Sequence, residues 1–183
     1  MQHLEAGAGP PLVHLKPPGG LRLTRADELL ARSFRVVVLE AATSGEPSAL
    51  VARMMEAIGA LGIDRFDLMG TSVASMTALA VARAARDRVG ALVLEAPMPM
   101  GGGRVADLTT PALVVFGAAD PVAVPETSGH FKERLPNAHL VFVYAAGHAV
   151  ADDRPEAFAE VVADFLERRE GFVVSRATTV IHP

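Results

Sequence analysis

One residue in this chain sits where a side-chain oxygen could become a nucleophile. In the segment Phe66-Asp67-Leu68-Met69-Gly70-Thr71-Ser72-Val73-Ala74-Ser75, a short apolar run ends at Gly70 and an alanine-rich stretch begins after Ser72. The run reads as a strand and the stretch as a helix, so Ser72 falls on the tight turn between them. A serine there stands exposed above a sheet, and backbone N–H groups at the new helix start can face an oxyanion. The segment is close to the pattern Gly-x-Ser-x-Gly, with Ala74 in place of the second glycine. Alanine is small enough to permit the same close approach. Gly-Thr-Ser ahead of a helix is also an ordinary N-terminal cap, so the motif alone leaves both readings open.

Other chemistries find little support. The chain has no cysteine, which removes thiolate nucleophiles, thiolate metal ligands and a disulfide framework, and fits a reducing, cytoplasmic setting. His3, His14, His130, His139 and His182 show no metal-ligand spacing. Gly101-Gly102-Gly103 has no following Lys-Ser/Thr and is not a phosphate loop. The helix after Ser72 lacks the Gly-x-Gly-x-x-Gly signature of dinucleotide binding. Neither a cofactor nor a metal is expected. A formal net charge of -4 gives no field to draw in nucleic acid or anionic lipid. Aromatic residues make up only 5% of the chain and tryptophan is missing, so a stacking platform for bases is not expected. No basic segment leads into an apolar run near Met1, and the apolar stretches are too short to span a bilayer.

The elements that must position Ser72 follow from periodicity. A chain of 183 residues, half of them apolar, fits one domain with an ordinary core. Continuous apolar runs at 12–15, 35–39, 66–69, 91–94, 112–116 and 140–144 read as strands covered on both faces, as parallel strands are. Leu50, Met54, Ala57, Ile58 and Leu61 recur at helical spacing. Further helices are predicted from Thr24, with Asp27 in its capping signal, over 72–86 and over 126–135. The last helix is predicted with Asp153 as cap, Pro155 in its first turn, Glu156 completing a capping box, and a core face of Phe158, Val161, Val162, Phe165 and Leu166. Residues 1–10 read as a loose leader, and 172–181 as a β-prone tail. The domain is therefore expected over 1–170, with a tail over 171–183. Alternating strands and helices give an α/β, three-layer fold with a mostly parallel sheet.

Two later segments also follow predicted strands. They are Val115-Phe116-Gly117-Ala118-Ala119-Asp120-Pro121 and Tyr144-Ala145-Ala146-Gly147-His148. With the turn at Ser72, they make the chain resemble the α/β-hydrolase family over residues 11–167. The resemblance implies a catalytic triad in the order nucleophile Ser72, acid Asp120, base His148. Histidine would take the serine proton and return it to the leaving group, and the carboxylate would hold the imidazole tautomer. Taken singly, Asp120 before Pro121 is a common turn residue, and His148 is a loop histidine.

The resemblance also sets expectations by its departures. The family's His-Gly turn after the first strand is matched here by Lys16-Pro17-Pro18, with Pro18 at the usual oxyanion donor, and proline has no N–H. Val73 N–H is then the expected oxyanion donor, with Gly19 N–H as the alternative second donor and Lys16 as an electrostatic substitute. Met98 and Met100 are candidate pocket residues, as is Lys16. Two N-terminal family strands have no room before Pro11, so about six strands are expected in the family order 4-3-5-6-7-8. The 96–111 link is too short for a cap domain, which predicts a shallow, open site. The strand at 35–39 becomes a bare sheet edge, and such an edge together with the tail predicts a homodimer.

The function expected from this resemblance is a serine hydrolase acting through an acyl-enzyme on a small or medium carboxylic ester, thioester or lactone. Its partner is a small-molecule acyl substrate, with no nucleic acid and no membrane. Two alternatives remain at this point. One is an acyltransferase using the same serine. The other is a catalytically degenerate binding protein, which Pro17, Pro18 and the missing strands would suit.

Overall fold

Six apolar runs become the parallel body of one sheet because each is buried from both sides. A computed structural model describes residues 1–42, 44–98, 108–122, 125–135, 137–172 and 180–181. The strands are β1 (His3–Ala6), β2 (Pro11–Lys16), β3 (Arg35–Glu40), β4 (Phe66–Thr71), β5 (Val89–Glu95), β6 (Ala112–Gly117), β7 (Ala138–Val143) and β8 (Val180–Ile181). The helices are α1 (Arg25–Leu30), α2 (Pro47–Ala60), α3 (Ala74–Ala84), α4 (Pro125–Arg134), α5 (Val150–Asp153) and α6 (Pro155–Arg168), followed by a 3-10 turn over Arg169–Gly171. The sheet order is β1-β3-β2-β4-β5-β6-β7-β8. Strands β2 to β7 pair in parallel, and β1 and β8 add antiparallel at the two edges.

Alternation along each strand divides the core in two. Val37 and Leu39 face one way, into a cluster with Met54, Ile58, Ala78 and Phe131 from α2, α3 and α4. Val36 and Val38 face the other way, into a cluster with Leu30, Phe158, Val162 and Phe165 from α1 and α6. Two helical layers thus cover one sheet. The 96–111 link between β5 and β6 leaves no room for a cap domain. Among the described residues, no helix is long and apolar enough to cross a membrane.

The sheet has more strands than the six read from the apolar runs. Residues 1–10 are not a loose leader. Strand β1 lies antiparallel on β3, with Leu4 opposite Val38 and Ala6 opposite Val36, so the strand at 35–39 is not a bare edge. The glycines that obscured it in the sequence make the turn that returns the chain. Gly7 has φ +77, and a Cβ there would lie 2.2 Å from the Ala31 carbonyl oxygen. Only glycine suits that position. A bidentate pair from Arg35 to Glu5, at 2.8 and 2.9 Å, ties β1 down. At the far edge, Val180 and Ile181 pair with Val143 and Phe142 of the same chain. Phe172 is buried against Phe165 and His139, with ring centroids at 5.6 and 5.2 Å.

Local signals at helix starts fared unevenly. Thr24 and Asp27 form the expected capping box on α1. Asp153 does not cap α6. It ends the short helix α5, and its carboxylate accepts the Gly147 N–H at 2.7 Å, so Arg154 becomes the cap residue and Pro155 takes the first turn.

Candidate active site

Ser72 stands between β4 and α3 with φ 51, a left-handed conformation uncommon for a residue with a side chain. Such a backbone costs about 1–3 kcal/mol and persists only where its surroundings enforce it. Here the Ser72 N–H donates to the Glu95 carbonyl at 2.8 Å, and the Ser72 carbonyl accepts from Ser75 N–H at 3.0 Å. Gly70 lets α3 approach β4. A Cβ at Gly70 would lie 2.7 Å from the Ala78 Cβ and 2.9 Å from the Ser75 Cα. Ala74 is fully buried where the motif usually has its second glycine. The strain therefore lifts the Ser72 hydroxyl off the sheet at the C-terminal ends of the strands, where ligands of open α/β sheets bind.

The loops after β6 and β7 bring the other two residues to it. His148 Nε2 lies 2.9 Å from Ser72 Oγ, and His148 Nδ1 lies 2.8 Å from Asp120 Oδ2. The Asp120 side chain is fully buried, while that of His148 is 31% exposed. The second Asp120 oxygen, Oδ1, accepts the Val122 N–H at 2.7 Å. A carboxylate at Nδ1 fixes the ring hydrogen there, which leaves the Nε2 lone pair to accept from the serine hydroxyl. Gly117 makes the crossing of these loops possible, because a Cβ there would lie 2.0 Å from the Gly147 carbonyl oxygen. The arrangement can deprotonate a serine and hold the resulting imidazolium. Val73 is the N-terminal cap residue of α3, at the end of the helix where backbone N–H groups lack intrahelical acceptors.

A cavity of about 280 Å³ opens beside Ser72. His14, Lys16, Pro17, Gly20, Arg22, Thr71, Glu95, His148 and Asp152 are among its lining. Lys16 thus borders the cavity, but its ammonium is engaged elsewhere, at 2.6 Å from Asp27 Oδ2 and 2.9 Å from the Arg22 carbonyl oxygen. The Pro17–Gly20 loop closes as a tight turn through Gly20 N–H to Pro17 carbonyl, 2.9 Å, with Gly19 at φ +78. Gly19 and Met98 are not among the described residues that line the cavity. Met100 lies outside the described residues.

A set of buried polar residues beneath this cavity was not evident as a unit from the sequence. His14, Asp27 and Glu95 are 1%, 0% and 2% exposed. His14 Nδ1 is 2.7 Å from Asp27 Oδ1, and Nε2 is 2.8 Å from Thr71 Oγ1. Burial alone would raise the Asp27 carboxyl, but His14 and Lys16 beside it outweigh that and hold it well below the usual carboxylate range. A signal was present in the sequence: a histidine within a strand expected to be covered on both faces needs internal partners.

The family model Abhydrolase_4, described as TAP-like protein, matches residues 95–171, which include Asp120 and His148. That match covers less than half of the chain. Among curated proteins, the pimeloyl-[acyl-carrier protein] methyl ester esterase of Pectobacterium atrosepticum is 33% identical over 91 residues, 42% of this chain and 36% of that protein. ABHD14B of Homo sapiens is 37% identical over 62 residues, 34% of this chain and 29% of that protein. The chain therefore matches about a third of the length of these relatives. Among solved structures, MGS-MChE2, an α/β hydrolase from a sediment metagenome of the Mar Chica lagoon in Morocco, superposes with TM-score 0.78 at 22% identity, covering 92% of this chain and 95% of that one. A thermophilic esterase from Thermogutta terrifontis gives TM-score 0.76 at 18% identity, covering 92% and 93%. These two likenesses establish the shared fold.

Proposed function

We propose that this chain is a member of the α/β-hydrolase superfamily and a serine hydrolase that cleaves a small or medium carboxylic ester, thioester or lactone through an acyl-enzyme. The observation that carries this reading is the unbroken hydrogen-bond chain from Ser72 through His148 to Asp120. Ser72 Oγ attacks the carbonyl carbon as His148 Nε2 takes its proton. The tetrahedral oxyanion collapses, the bond to the leaving group breaks, and His148 returns the proton to the leaving oxygen or sulfur. Water then attacks the acyl-serine by the same steps in reverse, which regenerates the Ser72 hydroxyl. Asp120 keeps the imidazole oriented and balances its charge throughout. Val73 N–H is the oxyanion donor in this reading. A cavity of about 280 Å³ is small for a ligand pocket, which favours compact acyl groups.

The name of the Pectobacterium relative, a methyl ester esterase, supports the ester class. A panel of short-chain esters, thioesters and lactones, read by product release with Ser72→Ala as background, tests the proposal. Turnover that depends on Ser72 supports it. Products joined to an added alcohol or amine would instead assign acyl transfer. No turnover on any member, with tight retention of an apolar ligand, would assign a binding protein. The chain's lack of cysteine keeps a reducing, cytoplasmic location in the proposal. A bare edge at 35–39 and the β-prone tail were the two grounds for a homodimer. Strand β1 covers that edge, and light scattering across concentration decides the assembly.

A further inference from the structure

The buried polar residues under the Ser72 turn form a chain that the hydrolytic proton relay does not use. Its hydrogens can be counted. Thr71 Oγ1 sits 2.8 Å from His14 Nε2 and 2.7 Å from Glu95 Oε2, and a hydroxyl has one hydrogen to give. Glu95 Oε1 accepts the Ala151 N–H at 2.7 Å. Asp27 accepts from Lys16 Nζ at 2.6 Å, and from the Thr24 N–H and hydroxyl at 2.8 Å each. With Asp27 so supplied it is a carboxylate, and His14 Nδ1 donates to it. With Glu95 taken as a carboxylate, the Thr71 hydroxyl donates to it and His14 Nε2 donates to Thr71. Both ring nitrogens then carry hydrogen.

The charges close in pairs: Lys16 with Asp27, and His14 with Glu95. The groups facing this chain come from every element around it. Lys16 and His14 are on β2, Asp27 on α1, Thr71 on β4, Glu95 on β5, and the Ala151 N–H on α5. The exposed Arg22–Asp152 pair and His148 stand at the cavity above.

Its place in the fold gives the chain a task. Thr71 immediately precedes Ser72, the Glu95 carbonyl accepts the Ser72 N–H, and Ala151 lies three residues beyond His148. We propose that Glu95 is a positioning residue: its buried carboxylate, counter-charged by a doubly protonated His14 through Thr71, ties the Ser72 turn to the segment that carries His148. The positioning role rests on the reading of Ser72 as nucleophile, whereas the charge assignment stands apart from it.

Two measurements on the full chain test the two parts. NMR of the His14 ring nitrogens at neutral pH is expected to show hydrogen on both in the wild type. In Glu95→Gln, the amide can still accept from Ala151 N–H and can donate to Thr71, whose hydroxyl then turns to His14. One ring nitrogen should lose its hydrogen. A wild-type ring with a single hydrogen, or a ring unchanged in Glu95→Gln, overturns the charge assignment. In kinetics, Glu95→Ala is expected to lower kcat about 10²-fold with KM nearly unchanged, the scale of a small misplacement of reacting groups. Glu95→Gln, which keeps both bonds, should restore most of it. Full kcat in Glu95→Ala, or a Gln variant as slow as the Ala variant, overturns the positioning role. Should Glu95→Ala not fold, the Gln variant and the wild-type NMR decide. If the wild type turns over no ester, the proposed hydrolysis fails while the NMR still judges His14 and Glu95.

Discussion

Replacing Asp120 with asparagine should disable His148 without disturbing the fold, because the structure dictates how the new amide must lie. Asp120 Oδ1 accepts the Val122 N–H at 2.7 Å, and Oδ2 faces His148 Nδ1 at 2.8 Å. In Asp120→Asn the carbonyl oxygen must stay with the Val122 N–H, so the NH₂ group is turned to His148. A donor at Nδ1 forces the ring hydrogen onto Nε2, where it points at Ser72 Oγ and cannot receive the serine proton. Loss of the correct tautomer in such a triad costs about 10⁴-fold in kcat, or about 5 kcal/mol in the activation barrier. The substitution is isosteric in a fully buried site and keeps the bond from the Val122 N–H. The assay is steady-state release of alcohol from a short-chain aryl ester at neutral pH, with a thermal melt on the same sample. An Asn variant with kcat within about tenfold of wild type and an unchanged melt would refute the assignment of Asp120 as the group that orients His148.

Four further outcomes are expected. Gly70→Ala should destabilise by about 1–3 kcal/mol in a denaturant melt, since its Cβ would overlap the Ala78 Cβ and Ser75 Cα at 2.7 and 2.9 Å. Phe172→Ala should cost about 3–5 kcal/mol, because the ring is buried against Phe165 and His139. Glu5→Ala should cost less than about 1 kcal/mol, because its pair with Arg35 is partly exposed and solvent weakens it. Asp27 gives a pH dependence: its carboxyl is held below the ordinary 3.8 when folded, so the folded state binds its proton less readily than the unfolded chain. The stability it contributes is full above that ordinary value and is lost as pH falls. Unfolding titrations from about pH 5 to about pH 2 should therefore show wild type keeping its advantage over Asp27→Asn down to about pH 4 and losing it progressively below.

The parallel sheet was legible because buried parallel strands are uninterrupted apolar runs, as 35–39 and 112–116 show. Ser72 could be placed by the tight turn after such a run, whereas Asp120 and His148 were placed by the resemblance of their post-strand segments to the α/β-hydrolase family. Strand β1 was not legible. Four residues whose alternate side chains face solvent carry little apolar signal, and Gly7 and Gly9 look like disorder when they are a turn. Asp153 was assigned to the nearest helix start, yet a side chain binds whichever N–H the folded chain brings closest, here that of Gly147. The chain from Asp27 to Glu95 spans α1, β2, β4 and β5, and only the sheet order makes those positions neighbours. His14 and Glu95 were visible as polar residues in or ending apolar strands, but their partners were not.

The central claim is that His148 and Asp120 make Ser72 a nucleophile. Treating the folded protein with a serine-directed fluorophosphonate and mapping the adduct by peptide mass spectrometry tests it without knowledge of the substrate. One adduct is expected on Ser72 in the wild type, none in Ser72→Ala, and strongly slowed labelling in His148→Ala. A wild-type protein that stays unlabelled, or one labelled at another serine, would contradict it.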